Sequence, residues 1–132
     1  DIEINEKGLK HPLYKSKNKK FNSPAFNFDE VVKLPEGAVH LASNKINKIQ
    51  SIHFKKGISD VWGLQYHPEI TYHKMITLIK FRKEKLINNR KCFNNETEIQ
   101  NHINFIEEEI KRSAKDSRML ELKNWLNHLK AA

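Results

Sequence analysis

His67 and Glu69 stand two residues apart with Pro68 between them, in the run Gly63-Leu64-Gln65-Tyr66-His67-Pro68-Glu69. A carboxylate beside an imidazole selects the ring nitrogen that carries the proton and stabilises the charged ring. The other nitrogen is then free to take a proton from a nucleophile, which is the base-plus-orienter half of a nucleophilic triad. The apolar run Val61-Trp62-Gly63-Leu64 leads into the pair, so a strand over residues 61–66 is expected. Alternation along extended chain then puts His67 and Glu69 on one side of its C-terminal end. Pro68 fixes its own φ and biases His67 away from helical backbone.

The nucleophile that would complete such a triad is not evident. Cys92 is the one cysteine, in Asn89-Arg90-Lys91-Cys92-Phe93-Asn94-Asn95, without a glycine turn around it and after the His-Pro-Glu run. It reads as an incidental thiol in a polar linker. His73 follows Glu69 by four residues, but a His/Glu/His metal set lacks a fourth ligand, so no metal is expected. His40, His53, His102 and His128 are expected to be surface or half-buried histidines without chemistry. Gln65 and Tyr66 read as packing residues, and Trp62 and Trp125 as core anchors.

Several stretches carry a family resemblance. The His-Pro-Glu run resembles the motif of class I glutamine amidotransferases, in which Gly-x-Gln-Tyr/Phe-His-Pro-Glu supplies two members of a Cys-His-Glu triad. Upstream, Phe28-Asp29-Glu30-Val31-Val32, Leu34-Pro35-Glu36-Gly37-Ala38 and Leu41-Ala42-Ser43-Asn44 are similar to that family's stretches, in the family's order. Ile49-Gln50-Ser51 and His11-Pro12-Leu13-Tyr14 also fit. The resemblance covers roughly residues 1–88. The tail ending in Asn124-Trp125-Leu126 is similar to the extension of the subgroup that resembles the glutaminase domain of GMP synthase.

The resemblance implies an α/β fold, the C-terminal part of a flavodoxin-like amidotransferase sheet domain over residues 1–88, followed by a helical extension over 89–132. It implies His67 and Glu69 as catalytic residues and glutamine as substrate. It implies a nucleophile cysteine in a Gly-x-Cys-x-Gly turn upstream of everything here, so the chain reads as a C-terminal portion lacking that segment. Ala25-Phe26-Asn27-Phe28 is similar to a family segment whose backbone lies near bound glutamine, which implies a substrate-binding role for Asn27 and Phe28. A histidine is common at the position of Asn27 in relatives, so the backbone is the expected contact. The ammonia would pass to a synthetase partner, and no cofactor is implied.

Composition bounds the alternatives. With 132 residues, 38% hydrophobic and 30% charged, the chain is lean for an isolated domain. One cysteine suits a reducing, cytoplasmic setting, and no run is apolar enough to span a membrane. The net charge of +8 raises nucleic-acid binding. Its carriers are mostly scattered lysines, however, arginine is scarce, and no basic stretch is interleaved with aromatics. Lys15-Ser16-Lys17-Asn18-Lys19-Lys20 reads as a solvated loop.

The periodicity predicts a short strand at 2–4, an irregular strand over 21–28 broken at Pro24, a turn at 34–37, and strands at 38–42, 49–54 and 61–66. Their close spacing leaves no room for crossover helices, so a partly antiparallel arrangement is expected. Thr71 is the expected cap of a helix to about residue 88. A second helix is expected over 97–114, with Ile99, Ile103, Ile106 and Ile110 on one stripe. A third, capped by Ser117, should run to 130 and pack with the second as a hairpin on the sheet. Two further function classes stay open beside the enzyme: a catalytically inactive amidotransferase-like interaction module docking through its helical tail, and a basic nucleic-acid-binding domain.

Overall fold

The computed structural model describes residues 1–113 and 117–132. The described residues form two compact units, one of residues 1–69 and 117–132, the other of residues 70–113. Ala114, the expected end of the second helix, lies outside the described residues.

The first unit is an α/β arrangement around a five-stranded antiparallel sheet. Its strands are β1 (Ile2–Ile4), β2 (Lys20–Phe21), β3 (Val39–Ser43), β4 (Ser51–Lys56) and β5 (Ser59–Leu64), in the spatial order β2-β1-β3-β4-β5. All four pairings are antiparallel. The hairpin β4–β5 turns at Gly57, whose φ of 60° suits a residue without a side chain. The strand expected over 21–28 is confined to Lys20–Phe21, because Pro24 cannot donate to a ladder.

Between β3 and β4 the register shifts between His40 and Ala42, leaving Leu41 as a bulge. The Leu41 carbonyl accepts from the Asn5 N–H at 2.9 Å. This ties β3 to α1 (Glu6–Leu9), which Asn5 caps by accepting from the Gly8 N–H. Gly8 sits against that same Leu41 carbonyl so closely that a Cβ there would collide with it. Ile2, Ile4, Leu13, Tyr14, Leu41, Ala42 and Tyr66 form the buried cluster under the sheet. Burying each large apolar side chain contributes about 1.5–3 kcal/mol.

The last helix, α4 (Leu120–Ala131), also belongs to this unit, where it packs on the 3₁₀ turn Pro12–Tyr14. It starts after Met119 with no side-chain cap, so the expected cap by Ser117 is not made. The Ser117 carbonyl instead accepts from Lys17 Nζ. The helix docks through a polar stripe at 121, 124 and 128. Trp125, expected in the core, is accordingly 41% exposed, and Leu126 and Leu129 are exposed with it.

The second unit holds α2 (Tyr72–Phe81), a π-helical turn Lys85–Asn89 and α3 (Glu96–Arg112). Thr71 caps α2 by accepting from the Lys74 N–H, and Asn95 caps α3 by accepting from the Glu98 N–H. The single helix expected from 71 to about 88 therefore changes pitch after Phe81. Met75 and Ile79 of α2, and Ile99, Ile103 and Ile106 of α3, are buried, and the two helices pack together. Within this unit α3 pairs with α2, and α4 belongs to the sheet unit.

Among the described residues, no helix is long and apolar enough to cross a membrane.

Candidate active site

His67 and Glu69 follow β5 directly. The ladder extends one bond past β5, from the Gln65 N–H to the Gln50 carbonyl at 2.9 Å, and the chain then leaves the sheet. The His67 N–H donates to the Pro24 carbonyl at 2.8 Å, so the imidazole emerges from a pinned backbone. Its Nδ1 lies 2.7 Å from Glu69 Oε1. The side chains are 38% and 55% exposed, so the pair is open at the surface.

The environment of the carboxyl sets the tautomer. Partial desolvation alone would raise the Glu69 pKa. The hydrogen bond from His67, a bond from its own backbone N–H and the Arg118 guanidinium outweigh that and hold it below the usual carboxylate range. An ionised carboxylate can only accept, so the bonded Nδ1 carries a proton and the neutral ring presents its lone pair at Nε2. That is the arrangement a general base requires.

Asn27 and Phe28 lie on an irregular loop beside this strand end, and both are exposed, Phe28 at 63%. The loop is tied at both ends to the motif segment: Pro24 O accepts from His67, and Asp29 O accepts from Gln65 Nε2 at 3.2 Å. The loop that carries Asn27 and Phe28 is thus hydrogen-bonded on both sides of them to the segment that carries His67.

A hollow of about 100 Å³ lies beside it, lined by Val31, Gln50, Ile52, Gly63, Leu64 and Gln65. Small-molecule pockets usually measure about 300–1,000 Å³, so this hollow does not enclose a substrate by itself. Gln50 Oε1 is buried and has no hydrogen-bond partner among the described residues.

Beneath the motif runs a buried polar chain. Tyr14 Oη donates to Ser51 Oγ at 2.6 Å and lies 3.0 Å from Tyr66 Oη. Tyr66 Oη donates to Glu121 Oε1 at 2.8 Å, and Lys17 Nζ meets Glu121 Oε2 at 2.9 Å. Burial pushes the Tyr14 phenol up to about 12 and raises Tyr66 as well, in the second case reinforced by Tyr14 and Glu121, so both phenols stay protonated donors. Burial lowers the Lys17 pKa, against the pull of Glu121.

Lys17 corrects the sequence expectation. The loop 15–20 is solvated at Lys19 and Lys20, which pair loosely with Glu3, but the Lys17 side chain is only 4% exposed. Tyr66 is likewise more than a packing residue. Glu121 and Arg118 were not singled out by sequence reasoning. Neither left a signal in the sequence: the apolar residues Trp125, Leu126 and Leu129 of α4 are exposed, and the face that carries Glu121 is the buried one.

A second cluster lies around Asp60. Its two carboxylate oxygens meet His53 Nε2 at 2.6 Å and His128 Nε2 at 3.2 Å. His11 packs against the His53 and Trp62 rings at 4.7 and 4.9 Å. His53 and His128 are therefore hydrogen-bond partners of the Asp60 carboxylate. Among the described residues, no group of three or more His, Cys, Asp or Glu is arranged to hold a metal ion. Cys92 is exposed.

No protein-family model matches the chain. It is similar to a gamma-glutamyl-L-1-hydroxyisopropylamide hydrolase from a Pseudomonas species, 30% identical over 148 residues, which covers 97% of this chain and 48% of that protein. It is also similar to glutamine-hydrolysing GMP synthase subunits from two archaea. The Archaeoglobus fulgidus protein is 40% identical over 58 residues, 44% of this chain and 30% of the relative. That of Methanocaldococcus jannaschii is 35% identical over 60 residues, 46% of this chain and 31% of the relative. The chain thus spans about half the length of the first relative and about a third of the other two. These matches support a resemblance to the glutamine amidotransferases and to hydrolases of that type.

Proposed function

We propose that this chain carries the histidine–glutamate half of a class I glutamine amidotransferase, in the C-terminal part of a flavodoxin-like domain with a helical extension. The observation that carries the reading is the 2.7 Å bond between His67 Nδ1 and Glu69 Oε1 at the end of β5. In this reading the nucleophile is a cysteine outside these 132 residues. The match to only 48% of the Pseudomonas relative supports that, as does Cys92, whose Sγ faces the Arg90 carbonyl at 3.8 Å and not a base.

His67 Nε2 takes the thiol proton as the sulfur attacks the carboxamide carbon, forming a tetrahedral oxyanion. The C–N bond then breaks, His67 returns the proton to the departing nitrogen, and a thioester remains. Water, deprotonated by the same nitrogen, releases the acid and regenerates the thiol. Glu69 holds the ring and stabilises its charged form. Backbone amides near the nucleophile supply the oxyanion hole. The Asn27-Phe28 loop contacts the substrate through its backbone, and ammonia passes to a synthetase partner in the cytoplasm.

A second reading within the same chemistry is hydrolysis of a substituted gamma-glutamyl amide without ammonia transfer. It is favoured by the match to the Pseudomonas hydrolase, which covers 97% of this chain. The full-length protein should be assayed for amine release from glutamine and from a gamma-glutamyl alkylamide, with His67→Ala beside it. Loss of roughly 10²–10⁴-fold on substitution is expected. Full activity in His67→Ala would overturn both readings, and the preferred substrate separates them.

A further inference from the structure

The His67–Glu69 pair is open to solvent, so packing does not hold its rotamers. What holds it is the backbone on either side. Pro68 locks its own φ but leaves ψ free, and that ψ decides where Glu69 points relative to the imidazole. The orientation of the Pro68 carbonyl reports that ψ, and the carbonyl accepts a hydrogen bond from Arg118 Nη1. On the other side of His67, Tyr66 Oη is fixed by Glu121 Oε1 at 2.8 Å.

Glu121 stands in the first turn of α4 and Arg118 just before that helix, 55 and 50 residues from the groups they hold. That helix is itself anchored to the loop below. Glu121 Oε2 takes Lys17 Nζ at 2.9 Å, and Asn124 Nδ2 donates to the Leu13 and Lys15 carbonyls at 2.9 and 3.0 Å. Residues 121, 124 and 128 share one helical face, so one helix carries the Glu121 and Asn124 anchors, and Arg118 lies just before it.

We infer that Arg118 and Glu121 are positioning residues for the His67–Glu69 pair, holding Pro68 and Tyr66 on either side of the imidazole so that Nδ1 stays aimed at the carboxylate. The inference rests on the proposed role of His67 and Glu69. It makes the C-terminal helix part of the working site, not an appendage to it. Arg118 acts twice: its donor fixes the peptide that leads into Glu69, and its charge favours the ionised carboxyl.

The test is the nitrogen spectrum of ¹⁵N-histidine-labelled chain, with His67 assigned by substitution. In the wild type, His67 should be dominated by the Nδ1–H tautomer. Arg118→Ala should mix the two tautomers and move the Glu69 titration upward, while Arg118→Lys, which keeps a cationic donor, restores most of the wild-type behaviour. Tyr66→Phe tests the other anchor and should loosen the tautomer without moving the Glu69 titration as far. In the full-length protein, Arg118→Ala should lower kcat by up to about 10²-fold with little change in KM, because only the orientation of the base is lost.

Unchanged His67 spectra in Arg118→Ala would overturn the inference. So would a change that Arg118→Lys fails to rescue and that spreads through the amide spectrum of the whole sheet, since that marks general unfolding. The spectra read positioning whether or not the protein hydrolyses glutamine. They can therefore fail while the His67→Ala assay succeeds, or the reverse.

Discussion

His67 Nδ1 and Glu69 Oε1 are 2.7 Å apart across a single proline, and the residues before and after the imidazole are both held by groups near the start of α4. The pair is local in sequence. Its rigidity is not, and the consequences can be measured.

Glu69 orients a base and is not itself the base. In the full-length protein, Glu69→Gln should therefore cost less in kcat than His67→Ala, because an amide oxygen can still accept from Nδ1. Glu69 is held below the usual carboxylate range, so the pair is intact above that pKa and is lost only as pH falls through it. In Glu69→Gln the acid limb of the rate profile belonging to that carboxyl should disappear. Steady-state kinetics across pH read both effects.

The pair of Lys17 and Glu121 is buried on both sides, at 4% and 0% side-chain exposure. Lys17→Met leaves Glu121 with an uncompensated charge and should destabilise the chain by about 3–5 kcal/mol in urea denaturation. Lys19→Ala and Lys20→Ala, removing exposed partners of Glu3, should each cost about 1 kcal/mol or less. Lys17→Met combined with Glu121→Gln should cost less than the two single changes summed, because the pair is one unit.

His11 gives the fold a pH dependence of known sign. Burial first, then the neighbouring His53, lowers its pKa to about 4, and its Nδ1 accepts from the Leu13 N–H as a neutral ring must. The unfolded chain binds that proton near the ordinary histidine value of 6.5. Between the two values the unfolded state holds more protons, so stability present above the upper value is lost as pH falls towards about 4. His11→Asn keeps a capping acceptor without the titration. Urea midpoints over this window should fall less steeply in the variant than in the wild type.

Gly8 is required by contact, not by conformation. Any Cβ there meets the Leu41 carbonyl, and that carbonyl is committed to the Asn5 N–H on the bulge of β3. Gly8→Ala would normally favour a helix. Here it should destabilise by about 1–3 kcal/mol, the range of an overpacked core. A raised thermal midpoint would contradict this placement of α1.

Local chemistry was readable from the residues alone. The apolar run into His-Pro-Glu, the caps at Thr71 and the isoleucine stripe from Ile99 depend on neighbours within a few positions, and antiparallel pairing follows from spacing too short for crossovers. The sequence by itself therefore determined the His67–Glu69 pair and the strand that delivers it. Tertiary structure alone decided which of six residues in a lysine-rich loop is buried, since Lys17 finds its carboxylate 104 positions away. It also decided that α4 docks by Glu121, Asn124 and His128 and leaves Trp125 outside. The physical reason is the same in each case. A buried charge is tolerable only where a partner meets it, and no periodicity in a chain records which distant segment will bring that partner.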